Sequence, residues 1–272
     1  MKRYLMQHIN SLLLILISCN IQNTKAQLIN PEGKTLHTRI KTPENYFRTN
    51  TPLGDFYGNL PIKKDKSPVL LYDGSLKNNQ NAHCAIINWQ IGNKDLLQCA
   101  DAAMRLYAEY HYANKDYSKI HFNFTNGFNC QYSRWAEGFR PNSKYNGWVK
   151  KYNIDYSYNT FQQYLEMVYT FAGSASLSKE LVGVPLQNIK VGDLLIRGGF
   201  PGHVCTILDV AQNEKGEKIF LLAQSYMPAQ NIQILKNNNS EISPWYSLKE
   251  IKDAIYTPEY TFSVNEIKRF KF

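Results

Sequence analysis

His203 follows the run Gly198-Gly199-Phe200-Pro201-Gly202 and opens an apolar stretch that begins His203-Val204. A histidine placed at the head of a strand by a glycine-bearing turn can present its imidazole at the edge of a cleft, where it can work as a general base. It can equally be a packed member of the sheet. A base of this kind can activate a thiol, and Cys99 is a candidate for that role. It stands directly after Asp95-Leu96-Leu97-Gln98, which has the form of a capping box. A thiol at the start of the helix that follows lies where the helix dipole favours thiolate. The alternatives for Cys99 are a small apolar core residue or one half of a disulfide. With Cys84, Cys130 and Cys205 it makes a set of four, which allows three pairings in an oxidising compartment. Cys84 falls in a predicted strand with no dipole to activate it, Cys130 falls in a loop, and Cys205 is expected to pack beside His203.

An imidazole acting as a base is oriented by a third group. If the strand from His203 returns through a hairpin centred near Glu214-Lys215, residue 203 faces about residue 226 and residue 205 faces about residue 224. Side chains alternate along a strand, so Gln224 and Tyr226 would share a face with His203 and Cys205. Gln224 can accept from Nδ1–H of the imidazole, and a slip of one residue would remove it from the site. Tyr226 becomes a substrate-binding candidate together with Trp135 and Arg140, which could line a groove. His83 is the rival base, and Gln98 could contribute to an oxyanion hole.

The elements that must position these groups read as helices followed by a run of strands, an α+β pattern. The central helix follows residue 95. Leu96, Cys99, Ala103, Leu106 and Tyr110 recur at spacings of three and four, and Leu97, Ala100, Met104, Tyr107 and His111 form an adjoining row, so the apolar face is wide. Asp101 and Arg105 are expected on the opposite side as an i,i+4 pair. A second helix is predicted over residues 158–171. Strands are predicted at 69–72, 84–89, 193–197, 203–210 and 218–224, the last two joined by the loop 212–217. Residues 118–150 are rich in Asn, Gly and aromatics and read as irregular.

The chain carries a formal charge of +9, and loss of Lys2 and Arg3 would leave about +7. The cations are scattered apart from Lys63-Lys64-Asp65-Lys66 and Lys268-Arg269-Phe270-Lys271, so they read as solvated faces. No HExxH, CxxC, P-loop or G-x-G-x-x-G occurs, so no metal and no cofactor is expected. At the N-terminus Lys2 and Arg3 precede the apolar run from Leu12 to Ile17, which is too short to span a bilayer and fits a secretory signal. The expected organisation is a signal peptide at 1–18, a polar tether at 19–50 and a single globular domain at 51–272. An exported protein of this kind is not expected to bind nucleic acid, whereas a modest basic excess favours an anionic envelope polymer.

Three resemblances sharpen these expectations. Leu16-Ile17-Ser18-Cys19 resembles the bacterial lipobox, which implies lipidation at Cys19 and a membrane-anchored lipoprotein facing the periplasm or the cell surface; an ordinary signal peptide cut after Ala26 is the alternative. Val191-Gly192-Asp193-Leu194-Leu195-Ile196, taken with Gly202-His203-Val204, resembles the histidine strand of NlpC/P60 and related papain-like cysteine hydrolases. That likeness implies a papain-like α+β fold with a central N-terminal helix packed on an antiparallel sheet. It also implies Cys99 as nucleophile, His203 as base and acid, Gln224 as the orienting residue, and an amide bond in a peptide or peptidoglycan stem peptide as substrate. Those families often read Asp-Cys-Ser where this chain has Gln98-Cys99-Ala100. Finally, Leu70-Leu71-Tyr72-Asp73-Gly74, Gln98-Cys99-Ala100-Asp101-Ala102, His121-Phe122-Asn123 and Leu222-Ala223-Gln224-Ser225-Tyr226 resemble a bacterial lipoprotein family known as domain of unknown function number 4846. That family brings no activity with it. A non-catalytic lipoprotein that binds a glycan or peptide is the competing class.

Overall fold

The structure is a computed structural model that describes residues 27–271. The predicted signal segment and Cys19 lie outside the described residues. Among the described residues no helix is long and apolar enough to cross a membrane.

The fold is α+β, built around one antiparallel sheet. Its strands are Phe47–Arg48 (β1), His83–Ile86 (β2), Val182–Gly183 (β3), Leu194–Arg197 (β4), His203–Gln212 (β5), Lys218–Gln224 (β6), Gln233–Leu235 (β7), Tyr246–Ser247 (β8) and Ile267–Arg269 (β9). They run in the order β2-β7-β6-β5-β4-β9-β3, with β1 paired to the far end of β5 and β8 to β6. Both β5 and β6 lie in the middle of the sheet and are covered on both faces. They therefore read as nearly continuous apolar runs, buried almost end to end.

The two longest helices among the described residues pack on one another. Cys99–Ala113 (α1) packs against β5, and Tyr158–Phe171 (α2) packs against α1. The start of α1 differs from expectation. Gln98 is its N-cap, and the capping side chain is Asp101, whose Oδ2 accepts the Gln98 N–H at 2.9 Å. Asp95 is instead drawn away by the Ala229 N–H (2.6 Å) and the Gln98 side-chain amide (3.0 Å). The predicted polar side of this helix is also absent. Asp101 and Arg105 are only 5% and 6% exposed, because Trp89 lies over the Arg105 guanidinium and Gln90 accepts from it. The α1 surface is thus buried almost all round, as a central helix requires.

The tether expected over residues 19–50 is contradicted from residue 27 onward. Leu36 and Ile40 have no exposed surface and join the main core, and β1 pairs Phe47 with Gln212. Arg48 Nε reaches the buried Asp209 at 2.7 Å. These contacts fasten the segment to the sheet, so the domain includes it. Residues 69–72 form only isolated bridges, and the strand expected over 84–89 runs His83–Ile86. The segment read as irregular holds two short hairpins, His121–Asn123 with Asn129–Gln131 and Phe139–Pro141 with Trp148–Lys150.

The chain end closes the sheet beside the site. Strand β9 inserts between β4 and β3, and Arg269 grips the fully buried Asp193 through Nε and NH2 at 2.6 and 2.8 Å. Such a fork is the strong geometry for an arginine–carboxylate pair. Asp193 also accepts the Lys190 N–H at 2.8 Å, so the Gly192-Asp193 turn that leads into β4 is held from both sides.

Candidate functional site

The site lies where β5 begins and β6 ends. A β-bulge at Leu208 sets its register: Leu221 faces Asp209, whereas Leu222 faces Ile207 and Ala223 faces Thr206. Continuing that ladder puts Gln224 beside Cys205, as the sequence predicts. The imidazole of His203 is 2% exposed. Its Nε2 is 2.7 Å from Gln224 Oε1, so Gln224 holds Nε2 and not the expected Nδ1. Nδ1 has no hydrogen-bond partner among the described residues, which leaves its lone pair for another group.

Gln224 is itself fixed. Its Nε2 donates to Glu259 Oε2 at 2.7 Å, and that carboxylate also accepts from Lys77 Nζ (2.5 Å) and from Asn79 (3.1 Å). Aromatic rings enclose the imidazole: Tyr226 lies 4.5 Å from its centroid, Tyr260 4.8 Å and Phe262 5.8 Å. Tyr260 and Phe262 come from the hairpin Ala254–Tyr256 with Thr261–Ser263 and its turn. Burial among these rings pushes the His203 pKa down to about 4; the Gln224 bond and the Glu259 charge oppose this, and Lys77 adds to it.

Cys99 occupies the first turn of α1. Its sulfur faces the backbone N–H of Val204, the residue after His203, and the N–H groups of Cys99 and Ala100. It shares Cys205 and Tyr226 as neighbours with His203. Sulfur and imidazole make no direct hydrogen bond among the described residues. Burial, and then the Asp101 charge, push the thiol up to about 11 against the pull of those N–H groups. The resting site therefore holds a neutral thiol near a neutral imidazole.

The other sequence candidates separate. Cys205 is nearest to the histidine, 3.8 Å from Nε2, but it is fully buried and donates to Gln224 Oε1 at 3.4 Å. All four cysteines in the described residues are free. His83 lies on the edge strand β2, three strands from β5, and bonds Ser67 O at 3.2 Å. At about 4.8 Å per strand that sets it roughly 14 Å from β5, the strand that carries His203. Burial pushes the neighbouring Cys84 thiol up to about 12. The Gln98 side-chain nitrogen is turned toward Asp95, donating to its Oδ1 at 3.0 Å.

Tyr226 is at the site, but Trp135 and Arg140 are not among its contacts. Trp135 is buried and donates to Thr160 O at 3.1 Å, and Arg140 stacks on it at 3.8 Å while donating to the Trp135 and Phe139 carbonyls. Both line a separate cavity of about 850 Å³ that reaches Asp95 and Leu96, just before α1. The residues that sequence reasoning missed are Glu259, Lys77, Asn79, Tyr260 and Phe262. None stands in a recognisable motif. Among the described residues no group of three or more His, Cys, Asp or Glu side chains is arranged to hold a metal ion.

Taken together, these features define an α+β domain with an enclosed His–Gln–Glu array beside a cysteine at a helix start. The chain belongs to the family described as domain of unknown function 4846, whose model matches residues 36–269. Comparison with curated proteins and with solved structures returns no match.

Proposed function

We propose that the protein is a papain-like cysteine hydrolase that cleaves an amide bond, with Cys99 as nucleophile, His203 as base and acid, and Gln224 as the orienting residue. The observation that carries it is the split of roles on one imidazole: Nε2 is tied to Gln224 and Nδ1 is left without a bond among the described residues, while the Cys99 sulfur lies against the backbone N–H of Val204, the residue after His203. In the chemical step the Cys99 proton passes to Nδ1 as sulfur attacks the carbonyl carbon. The oxyanion forms against the first-turn N–H groups, which carry the positive end of the helix dipole. The imidazolium then gives its proton to the leaving nitrogen, the C–N bond breaks, and a thioester remains. Water, deprotonated by the same imidazole, releases the acid and restores the thiol. With a thiol near 11 and an imidazole near 4, proton transfer accompanies attack and no ion pair precedes it.

The substrate proposed is a peptide, including peptidoglycan stem peptides, met outside the cytoplasm by a lipoprotein anchored through Cys19. A non-catalytic binder is the second reading, and the cavity beside Trp135 and Arg140 favours it, since that cavity does not include Cys99. Iodoacetamide labelling of the native protein, read by peptide mass spectrometry, separates the two. The hydrolase predicts that Cys99 is alkylated at pH 7 at least tenfold faster than in His203→Ala. It also predicts that Cys99→Ala abolishes cleavage of a stem peptide. A Cys99 whose alkylation rate at pH 7 is the same with and without His203, or a Cys99→Ala protein that still cleaves the stem peptide, overturns the hydrolase.

A further inference from the structure

We infer that Glu259, anchored by Lys77 and Asn79, is a positioning residue that fixes the Gln224 amide and so sets which nitrogen of His203 carries the proton. A glutamine side chain is ambiguous by itself, because its oxygen accepts and its nitrogen donates through almost the same shape. Here the ambiguity is resolved from outside. Glu259 accepts from the buried Lys77 ammonium at 2.5 Å and from Asn79 at 3.1 Å, so it is an ionised carboxylate and can only accept. The Gln224 atom 2.7 Å from it must then be the nitrogen.

The rest follows by donor and acceptor counting. Gln224 Oε1 is left facing His203 Nε2 at 2.7 Å, and Cys205 Sγ donates to the same oxygen at 3.4 Å. An oxygen can only accept, so Nε2 carries the hydrogen and Nδ1 carries the lone pair. A flipped amide would aim its NH2 at Nε2, move the proton to Nδ1 and disable the base. It would also turn the glutamine oxygen toward the Glu259 carboxylate. The charge of Glu259 therefore reaches the imidazole as an orientation, one hydrogen bond removed. Lys77 and Glu259 are themselves largely buried, with 9% and 14% of their side chains exposed, so solvent does little to weaken the constraint.

The catalytic consequence rests on the proposed hydrolase, but the tautomer does not, and the test uses that difference. The protein is labelled with 15N-histidine and the ring nitrogens of His203 are assigned by NMR at pH 7. The wild type is expected to show one tautomer, with pyrrole-type Nε2 and pyridine-type Nδ1. In Glu259→Gln the residue at 259 can both donate and accept, so a second tautomer with Nδ1–H becomes populated. Because Glu259→Gln leaves Lys77 buried without a counter-charge, Lys77→Met/Glu259→Gln is measured beside it; it removes both charges and is expected to show the same mixture. In either variant the Cys99 alkylation rate should fall toward that of His203→Ala in proportion to the Nδ1–H population. A wild type with Nδ1–H, or a folded variant that keeps the pure Nε2–H form, overturns the inference. A tautomer change with an unreactive Cys99 in every protein would uphold the positioning role and remove the hydrolase instead.

Discussion

The enclosed imidazole makes a measurable demand on stability. His203 holds its pKa at about 4 in the fold, against 6.5 for an unhindered imidazole, because burial penalises the charged form. Between those values the unfolded chain binds a proton that the folded chain refuses. The stability tied to the neutral ring is thus fully present above pH 6.5 and is lost as pH falls toward 4. A difference of about 2.5 pKa units corresponds to roughly 3 kcal/mol. For a chain of this size that is about 6–12 °C in Tm. Other histidines also titrate in this window, so the quantity to measure is a difference between two proteins. Wild type and His203→Gln are unfolded thermally and in urea from pH 7 to pH 4, and the wild type should lose about 3 kcal/mol more than the variant. NMR titration of the His203 ring gives the midpoint directly. Parallel stability curves, or a ring that titrates at pH 6 or above, would show that the imidazole is solvated and refute this account of the site.

Three further outcomes follow from the same structure. Arg269→Ala leaves Asp193 buried without its counter-charge and should cost about 3 kcal/mol at neutral pH, near the low end for a broken buried pair because Arg269 is one-third exposed; thermal denaturation checks it. A Cβ at Gly202 would sit 2.2 Å from Ser174 Oγ and 2.5 Å from the Arg197 carbonyl, so Gly202→Ala should cost about 1–3 kcal/mol and shift the His203 ring resonances, seen by calorimetry and NMR. With its thiol near 11, Cys99 should alkylate at a rate that keeps rising above pH 9. A plateau reached below pH 6 would instead mark a preformed thiolate–imidazolium pair.

Much of this arrangement was legible because it is local. The glycine turn before His203, the apolar runs of β5 and β6, and the period of α1 all express constraints between near neighbours. The Gln224 pairing was legible for a less secure reason. Lys218 faces Gln212 at the hairpin end, so the turn is centred slightly later than Glu214-Lys215. Left uncorrected, that would bring Gln224 opposite Thr206. The bulge at Leu208 absorbs one residue and restores the expected partner, and nothing in a run of buried aliphatics marks where a bulge will fall. The start of α1 failed through a real ambiguity, since Asp95-Leu96-Leu97-Gln98 and Gln98-Cys99-Ala100-Asp101 both offer capping chemistry. Backbone demands elsewhere decide it: Ala229 claims Asp95 and leaves Asp101 to cap. The result places Cys99 one residue past the cap, closer to the helix terminus than the first pattern allows. For residues 27–50 the signal was present but thin, namely Leu36 and Ile40 four apart in a polar stretch.

What no local pattern could supply is the charge behind the glutamine. Lys77, Gln224 and Glu259 are separated by 147 and 35 residues in the chain, and each alone reads as an ordinary surface residue. Their meeting also explains why an amide, and not a carboxylate, touches the imidazole. A carboxylate at residue 224 would lie directly against the ring and stabilise its charged form, raising the pKa and favouring imidazolium. It would also sit hydrogen-bond distance from Glu259, and two buried like charges resist ionising together. Gln224 avoids both effects while still fixing the ring through Nε2. The negative charge is kept one side chain away, where Lys77 neutralises it, and the imidazole remains neutral at pH 7.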